Sequence, residues 1–395
     1  MNILKVIPVF APAWQAGGPV HVVYSLACEL VKRKHNIYVY TTNFLDTKNN
    51  FSFSKREYLF KGIHVTYFKN YLRWNGVLFS PYMIKSFMKD FRGFDIVHLH
   101  TYRGFQDIMA FLSKIVGIPY ILQTHGSLHR IGKEKLKLIY DTFVGRRILK
   151  NASKIIALSA LEAKQYRRMG VPEEKITLIP NGIDLSEYAD LPPKGSFRKK
   201  FGVPEDKKVI LYLGRIHRIK GIDFLLKAYA YLIEKIGCKD AVLVIAGPDD
   251  GYLSGAKALA NSLRISDSAL FVGPLYGGDK LAAYVDSDLC VLPSRYEMFP
   301  MALLEMYACG KPIVASNIRG LRELIIDGET GLLFESGNFK QMAEKMLSLL
   351  NDSDKAVEIG RKARMLVEEK YSMDKVVDEL EELYIEVALQ RSSKC

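Results

Sequence analysis

The chain has 395 residues, 49% of them hydrophobic and 25% charged. That length predicts two domains, or three small ones, and excludes a peptide or lone module, while the composition excludes disordered and collagen-like chains. The net charge of +13 is one-sided: residues 1–180 carry 27 Lys and Arg against 11 Asp and Glu, and residues 181–395 carry 29 against 32. Such a field suits an anionic partner (nucleic acid, anionic lipid headgroups or a phosphate-bearing substrate) or serves solubility alone.

The opening stretch Met1-Asn-Ile-Leu-Lys is apolar without a basic leader, which fits a buried first strand better than a signal peptide. Strands are predicted at 4–10, 37–41, 64–68, 96–100, 120–123 and 155–158, where β-branched and aromatic residues cluster. Helical patterns fall between them at 20–32, 82–91, 105–116, 135–152 and 161–169. This alternation predicts a parallel sheet with crossover helices, a first domain over 1–180. Turn-formers Pro192, Pro193, Gly195, Gly202 and Pro204 mark 181–207 as a linker. Alternation resumes over 208–372, with strands at 209–213, 241–246, 270–272, 289–293, 313–315 and 331–334. Helices are expected near 224–236, 253–263, 280–285, 300–308, 321–326 and 341–350, and the tail from 356 to 390 reads as helix interrupted only by Gly360. The fold class is therefore α/β, two doubly wound Rossmann-like domains facing a cleft at their strand C-termini. No uncharged run approaches the ~18 apolar residues of a membrane span.

Five scattered cysteines without a C-x-x-C pair read as reduced thiols of a cytoplasmic protein, not as a zinc site. The most informative stretch runs from Leu292 to Ser316. A buried strand ends at Pro293, a polar turn holds Glu297, and Pro300 suits the first turn of a helix that carries Glu305. The free N–H groups at such a helix start attract phosphate, so the flanking carboxylates are better suited to sugar or ribose hydroxyls. After the strand 209–213, Gly214 permits a tight exit, and Arg215 and Lys220 offer two cations for a diphosphate. After the first strand, Gly17 and Gly18 let backbone approach a ligand. Without G-x-G-x-x-G this is no dinucleotide fingerprint. Asp286-Ser-Asp288 reads as an acidic turn at a strand entrance and not as a metal site.

The run Pro293 to Ser316, with Glu297 and Glu305 separated by seven residues and followed by Ala308-Cys-Gly310-Lys-Pro312, resembles the signature of the retaining family 4 glycosyltransferases. Gly17-Gly18, Thr124-His125-Gly126, Ile179-Pro-Asn-Gly-Ile-Asp184, Gly214-Arg215 with Lys220-Gly221, and Gly328-Glu-Thr-Gly331 fall in that family's order. The resemblance implies the GT-B arrangement, with acceptor on the first domain, nucleotide-sugar donor on the second, and a C-terminal helix (373–395) returning to the first. It assigns Arg215 and Lys220 to the donor diphosphate and Glu305 to the ribose. Glu297 and the backbone of Phe299, Pro300 and Met301 go to the donor sugar, which His125 also approaches. The catalytic set is thus His125, Glu297, Arg215 and Lys220. The family often has Gly-Phe-Gly where this chain has Met298-Phe299-Pro300; Pro300 lacks an N–H, which bears on sugar preference.

Cleaving a sugar–diphosphate bond builds positive charge at the anomeric carbon and negative charge on the phosphate, which fixed cations and helix amides stabilise without a metal. No residue is placed as a nucleophile, and the resemblance favours same-face attack. Neither a metal nor another cofactor is expected. The expected partners are a nucleotide-sugar donor and a saccharide or lipid-linked saccharide acceptor. The basic stretch 130–168, mixed with Leu136, Leu138, Ile139, Phe143 and Ile148, suits peripheral attachment to an anionic membrane at the cytoplasmic face. No nucleic-acid motif accompanies the charge. A nucleotide-sugar epimerase or hydrolase on the same fold, or a non-catalytic nucleotide-sugar-binding protein, are the alternatives.

Overall fold

A computed structural model describes residues 1–45, 50, 56–74, 77–129 and 133–392. Cys395 and the first three residues of the basic stretch 130–168 lie outside them. The chain divides into two compact units: Met1–Gly182 joined by the helix Met373–Ser392, and Ile183–Ser372.

The first unit contains β1 (Asn2–Val6), β2 (Asn36–Thr42), β3 (Glu57–Phe60), β4 (Ile63–Phe68), β5 (Leu72–Trp74), β6 (Val77–Phe79), β7 (Ile96–His100), β8 (Tyr120–Gln123), β9 (Lys154–Ala157) and β10 (Ile176–Leu178). Eight of these form one sheet in the order β10-β9-β8-β7-β1-β2-β4-β3, parallel except for β3, and β5 pairs with β6. Its central strands are buried on both faces, so they read as continuous apolar runs; all five residues of β7 are buried, His98 and His100 included. The unpredicted strands β3, β5, β6 and β10 are short and stand at edges or outside the main sheet, where little apolar pattern is needed.

The helix expected over 135–152 is divided into Glu134–Tyr140 and Arg146–Asn151 by a π turn at Asp141–Gly145. Tertiary contacts account for the break. The Asp141 carboxylate is held by Arg103 Nε (2.9 Å) and Tyr102 Oη (3.1 Å), and Tyr102 Oη occupies the space a Cβ on Gly145 would need. The final helix packs on Gly18–Lys32 and β7 within this unit. Arg33 binds Asp378 and Glu381, His35 binds Glu381 at 2.8 Å, and Lys154 binds Glu386 at 2.9 Å.

The second unit contains β11 (Lys208–Leu213), β12 (Ala241–Ala246), β13 (Ala269–Gly273), β14 (Leu289–Leu292), β15 (Ile313–Ser316) and β16 (Leu332–Phe334). They form an all-parallel sheet in the order β13-β12-β11-β14-β15-β16, the doubly wound order that reverses between its first and fourth strands. The segment 183–207 folds with this unit and is not a free linker. Its helix Ser196–Phe201 is capped by Asp286, whose carboxylate accepts N–H bonds from Gly195, Phe197 and Arg198. Asp288 accepts from Val209 N–H at 2.6 Å, so this acidic pair serves a strand entrance.

The helical tail is also interrupted, between Ser353–Lys370 and Met373–Ser392. There the Tyr371 carbonyl leaves the helical pattern to accept the Ile183 N–H at 2.9 Å. Gly360 is not a breaker. It lets the helix approach the Gly310 carbonyl, from which an added Cβ would lie 2.0 Å away. Among the described residues no helix is long and apolar enough to cross a membrane.

Candidate active site

In the second unit the strand order reverses between β11 and β14, so the loops that leave these two strands meet at the ligand-binding edge. Their backbones touch. Gly221, at φ 71°, sits where a Cβ would be 1.9 Å from the Pro293 carbonyl oxygen. Gly247, at φ 150°, approaches the Gly214 carbonyl oxygen to 1.8 Å in the same sense. This close backbone approach is made by the glycine after the neighbouring strand, a residue that sequence reasoning passed over.

Arg295 clamps the two loops. Its N–H donates to the Ile219 carbonyl at 2.8 Å, and its guanidinium forks onto Asp223 (2.7 and 2.6 Å) and donates to the Arg218 carbonyl at 2.7 Å. The guanidinium also lies over the Phe224 ring, 3.9 Å from its centroid. A planar fork of this kind fixes direction as well as distance. Held by it, Lys220 Nζ meets Glu297 Oε1 at 2.6 Å, and Ser294 Oγ donates to the same oxygen at 2.7 Å. Glu297 is 8% exposed, and its own carbonyl is crowded by Gly320, where a Cβ would come within 2.1 Å.

Pro300 is the N-cap of the helix Met301–Ala308 (φ −76°, ψ 120°), one residue ahead of the expected first turn. Leu303 N–H closes the first turn on the Pro300 carbonyl, which puts the Met301 and Ala302 amides at the helix start. Phe299 is buried, edge-on to Tyr371 at 5.8 Å. Glu305 is held apart from the Lys220–Glu297 pair. It accepts from Lys280 Nζ and Tyr284 Oη, each at 2.9 Å. Burial and the Glu305 charge hold the Tyr284 phenol well above its ordinary pKa. Arg215 is exposed and binds Asp250 at 2.8 Å. Lys280 and Tyr284 stand four apart on the helix Gly277–Asp286, a same-face pair whose partner only the tertiary fold reveals.

In the first unit the strand order reverses between β1 and β7. After β1, Gly17 adopts φ 100° as the N-cap of Gly18–Lys32, with open space where its Cβ would be. Two residues beyond β8, His125 adopts φ 51°, a strained conformation for a residue with a side chain. Its Nε2 lies 3.0 Å from His100 Nδ1, with the two rings stacked. Burial and the Lys5 charge push its pKa down to about 3. Behind it, Tyr384 of the final helix bonds Lys5 Nζ at 2.9 Å and His98 Nδ1 at 2.6 Å, all fully buried. Burial lowers Lys5 to about 7 and holds His98 and His100 well below the ordinary histidine range, so these rings are neutral at neutral pH.

Arg103 ties the loop after β8 to the π turn. It donates to the Ser127, Leu128 and His129 carbonyls and to both Asp141 carboxylate oxygens. Asp107, which accepts from Arg103 and Gly104 N–H and from Tyr140, is pushed up to about 6 by burial.

Residues 16–187 match the family model described as Glycosyltransferase Family 4, and residues 193–366 match that described as Glycosyl transferases group 1. An uncharacterised glycosyltransferase of Methanocaldococcus jannaschii is 29% identical over 300 residues, covering 74% of this chain and 75% of that protein. The N-acetyl-alpha-D-glucosaminyl L-malate synthase of Bacillus anthracis is 28% identical over 297 residues, with the same two coverages. Among solved structures, Anabaena HepE in complex with UDP-glucose superposes with a TM-score of 0.77 at 20% identity, over 97% of this chain and 99% of that one. Two successive family models, matched in order onto two Rossmann-like units, show that the chain belongs to glycosyltransferase family 4 and has the GT-B fold.

Proposed function

We propose that the chain is a retaining, metal-independent glycosyltransferase. It moves a hexose-type sugar from a nucleoside diphosphate sugar to a hydroxyl of a saccharide or lipid-linked acceptor, in the assembly of a glycan or cell-surface polysaccharide. The observation that carries this reading is the Lys220–Glu297 pair, clamped by Arg295 at the β11/β14 switch point beside the start of the helix Met301–Ala308. A cation, a helix N-terminus and a carboxylate there suit a diphosphate joined to a sugar.

Lys220 and Arg215 take the diphosphate, Glu305 the ribose hydroxyls, and Glu297 with the Phe299 to Met301 backbone the sugar. The first unit contributes His125, assigned to the donor sugar by the family resemblance, with the Gly17-Gly18 backbone also on the donor. A histidine whose pKa is pushed down to about 3 is a poor proton acceptor, which favours hydrogen bonding over general-base work. In the reaction the bond from the anomeric carbon to the phosphate oxygen breaks. The acceptor oxygen bonds to the anomeric carbon on the same face, and its proton passes to the departing phosphate. Lys220, Arg215 and the helix amides stabilise the charge that develops there.

The helix surface around 134–150 exposes Leu136, Leu138, Ile139 and Phe143 beside Lys135, Arg146, Arg147 and Lys150. This supports peripheral attachment to anionic lipid at the cytoplasmic face of a membrane. Of the remaining basic residues of that stretch, Lys154 and Arg167 are engaged by Glu386 and Glu173.

HepE was solved with UDP-glucose, which makes uridine the first base to try. The test is thermal stabilisation by UDP-, GDP- and ADP-sugars without added metal, on the wild type and on Lys220→Ala with Glu305→Ala. A ligand at a hundredfold its Kd adds about 2.7 kcal/mol, a rise of roughly 5–10 °C for a unit of this size. The expected result is a shift with one nucleotide that the double variant loses. No shift with any of them, or a shift that survives both substitutions, overturns the proposed donor site.

A further inference from the structure

His125 holds a left-handed backbone conformation that costs a non-glycine residue about 1–3 kcal/mol, so its surroundings must impose it. The turn is closed by the Ser127 N–H and hydroxyl on the Thr124 carbonyl (3.1 and 2.6 Å), and a side chain from the helix Ala160–Arg168 grips both flanks of His125. Glu162 is fully buried; its Oε1 accepts the Thr124 hydroxyl and the Gly126 N–H, both at 2.7 Å, on either side of His125. Its Oε2 accepts the Leu158 N–H at 2.9 Å. Ser159-Ala-Leu-Glu162 reads locally as a capping box, and the Ser159 hydroxyl does accept the Glu162 N–H at 3.2 Å. In such a box the glutamate returns to the N-cap amide. Here one carboxylate oxygen reaches the residue before the cap and the other crosses to the His125 loop. Tyr166, one turn further along the same face, adds a 2.8 Å bond between its hydroxyl and that of Thr124.

The ring is held separately. His100 Nδ1 lies 3.0 Å from His125 Nε2, and His100 is itself fully buried. The far nitrogens, His100 Nε2 and His125 Nδ1, are buried without a partner among the described residues. The contact between the two rings is thus a hydrogen bond that couples their tautomers: one of the facing nitrogens carries the proton and the other accepts it.

We infer that Glu162 and His100 are positioning residues for His125. Glu162 fixes its backbone through Thr124 and Gly126, and His100 fixes the orientation and tautomer of its imidazole. The consequence for transfer rests on the reading above that His125 meets the donor sugar; the positioning itself does not. Among the described residues Glu162 is the one carboxylate that grips both flanks, so its loss loosens the loop's hold on the left-handed conformation.

The test uses the full chain labelled with 15N-histidine, with the His125 ring signals identified by their loss in His125→Asn. Wild type is expected to show one tautomer, with no titration between pH 5 and 8. Glu162→Ala moves the His125 signals, and Glu162→Gln, which keeps an acceptor oxygen, restores most of the wild-type pattern. His100→Phe keeps the stacked ring but deletes the nitrogen, and shifts His125 toward tautomer-averaged values, so the test survives if Glu162→Ala fails to fold. With the nucleotide sugar selected in the melting screen, Glu162→Ala is expected to lower kcat ~10- to 100-fold, as for a misplacement of about 1 Å. The Kd for the free nucleoside diphosphate stays within about twofold, because its proposed ligands belong to the other unit. Unchanged His125 signals in Glu162→Ala, or in His100→Phe where the former does not fold, overturn the inference. Full activity in His125→Asn instead sinks the sugar-contact reading, while the ring signals still decide whether Glu162 and His100 position it.

Discussion

Replacing Glu297 by Gln preserves the shape of the side chain and removes a negative charge 2.6 Å from the Lys220 ammonium. Both groups are largely shielded, with 18% and 9% of their side-chain surface exposed. A hydrogen bond between charged groups contributes about 1.5–3 kcal/mol, which partial exposure of Lys220 reduces to about 1–2 kcal/mol. In the ligand-free protein that interaction already occupies Lys220, so a diphosphate must share the cation with Glu297 and approach a carboxylate. Removing the charge is therefore expected to tighten binding of the free nucleoside diphosphate by about 5- to 30-fold. The same substitution takes the charge out of the proposed contact to the donor sugar, so transfer falls by about a hundredfold or more. Calorimetric titration with UDP, GDP and ADP, and separately with the matching nucleotide sugar, measures both effects, with Lys220→Met as the opposing control that weakens both. Glu297→Gln protein that binds its nucleoside diphosphate no better than wild type would refute the reasoning, because the pair would then not compete with phosphate.

The buried histidines predict acid lability. His125, depressed to about 3, stays neutral in the folded chain while the unfolded chain protonates below about pH 6.5, so stability falls as pH drops through that window; by pH 5 His125 alone accounts for about 2 kcal/mol. His98 and His100 act in the same direction, whereas Asp107, raised to about 6, takes up its proton in the folded state first and returns about 1 kcal/mol. Urea unfolding at pH 7.5 and 5.0 should show His125→Asn losing about 2 kcal/mol less than wild type between the two; equal losses would exclude the mechanism. On the membrane side, wild type should pellet with phosphatidylglycerol vesicles at low salt and remain in solution with phosphatidylcholine alone. Changing Lys135, Arg146, Arg147 and Lys150 to Gln removes up to about 4 kcal/mol of attraction and should abolish pelleting. Equal pelleting with both lipids, or with neither, counts against the attachment.

Much of the architecture was legible because parallel strands buried on both faces carry their signal locally. Runs such as Lys208–Leu213 and Ala241–Ala246 need no knowledge of their neighbours to be read as strands. The elements that escaped, Glu57–Phe60 and Ile176–Leu178 among them, lie at sheet edges, where exposure relaxes the pattern. The expected helix over 135–152 failed for a different reason. Its apolar spacing is helical throughout, Asp141-Thr-Phe-Val-Gly145 is weak in helix propensity, and Arg103, 38 residues upstream of Asp141, with Tyr102, lodged against Gly145, fix the π turn there.

The candidate site divides along the same line. Gly221 and the Pro300 cap express local backbone needs and could be picked out from turn chemistry. Glu297 and Glu305, read as isolated residues, look like surface glutamates beside an ordinary helix; their order among the other motifs, not their own chemistry, distinguished them. The groups that hold the site together were invisible for a physical reason: each acts on a partner remote in sequence. Lys5 and Tyr384 are 379 residues apart, Lys220 and Glu297 are 77, Arg295 and Asp223 are 72, and Thr124 and Glu162 are 38. Ser159-Ala-Leu-Glu162 makes the point most directly, since its local pattern is satisfied in part and one oxygen of its buried carboxylate is spent on another loop. A sequence reports the interaction a residue could make with its neighbours. At the strand ends of these two sheets, the residues that matter are those diverted from that local use.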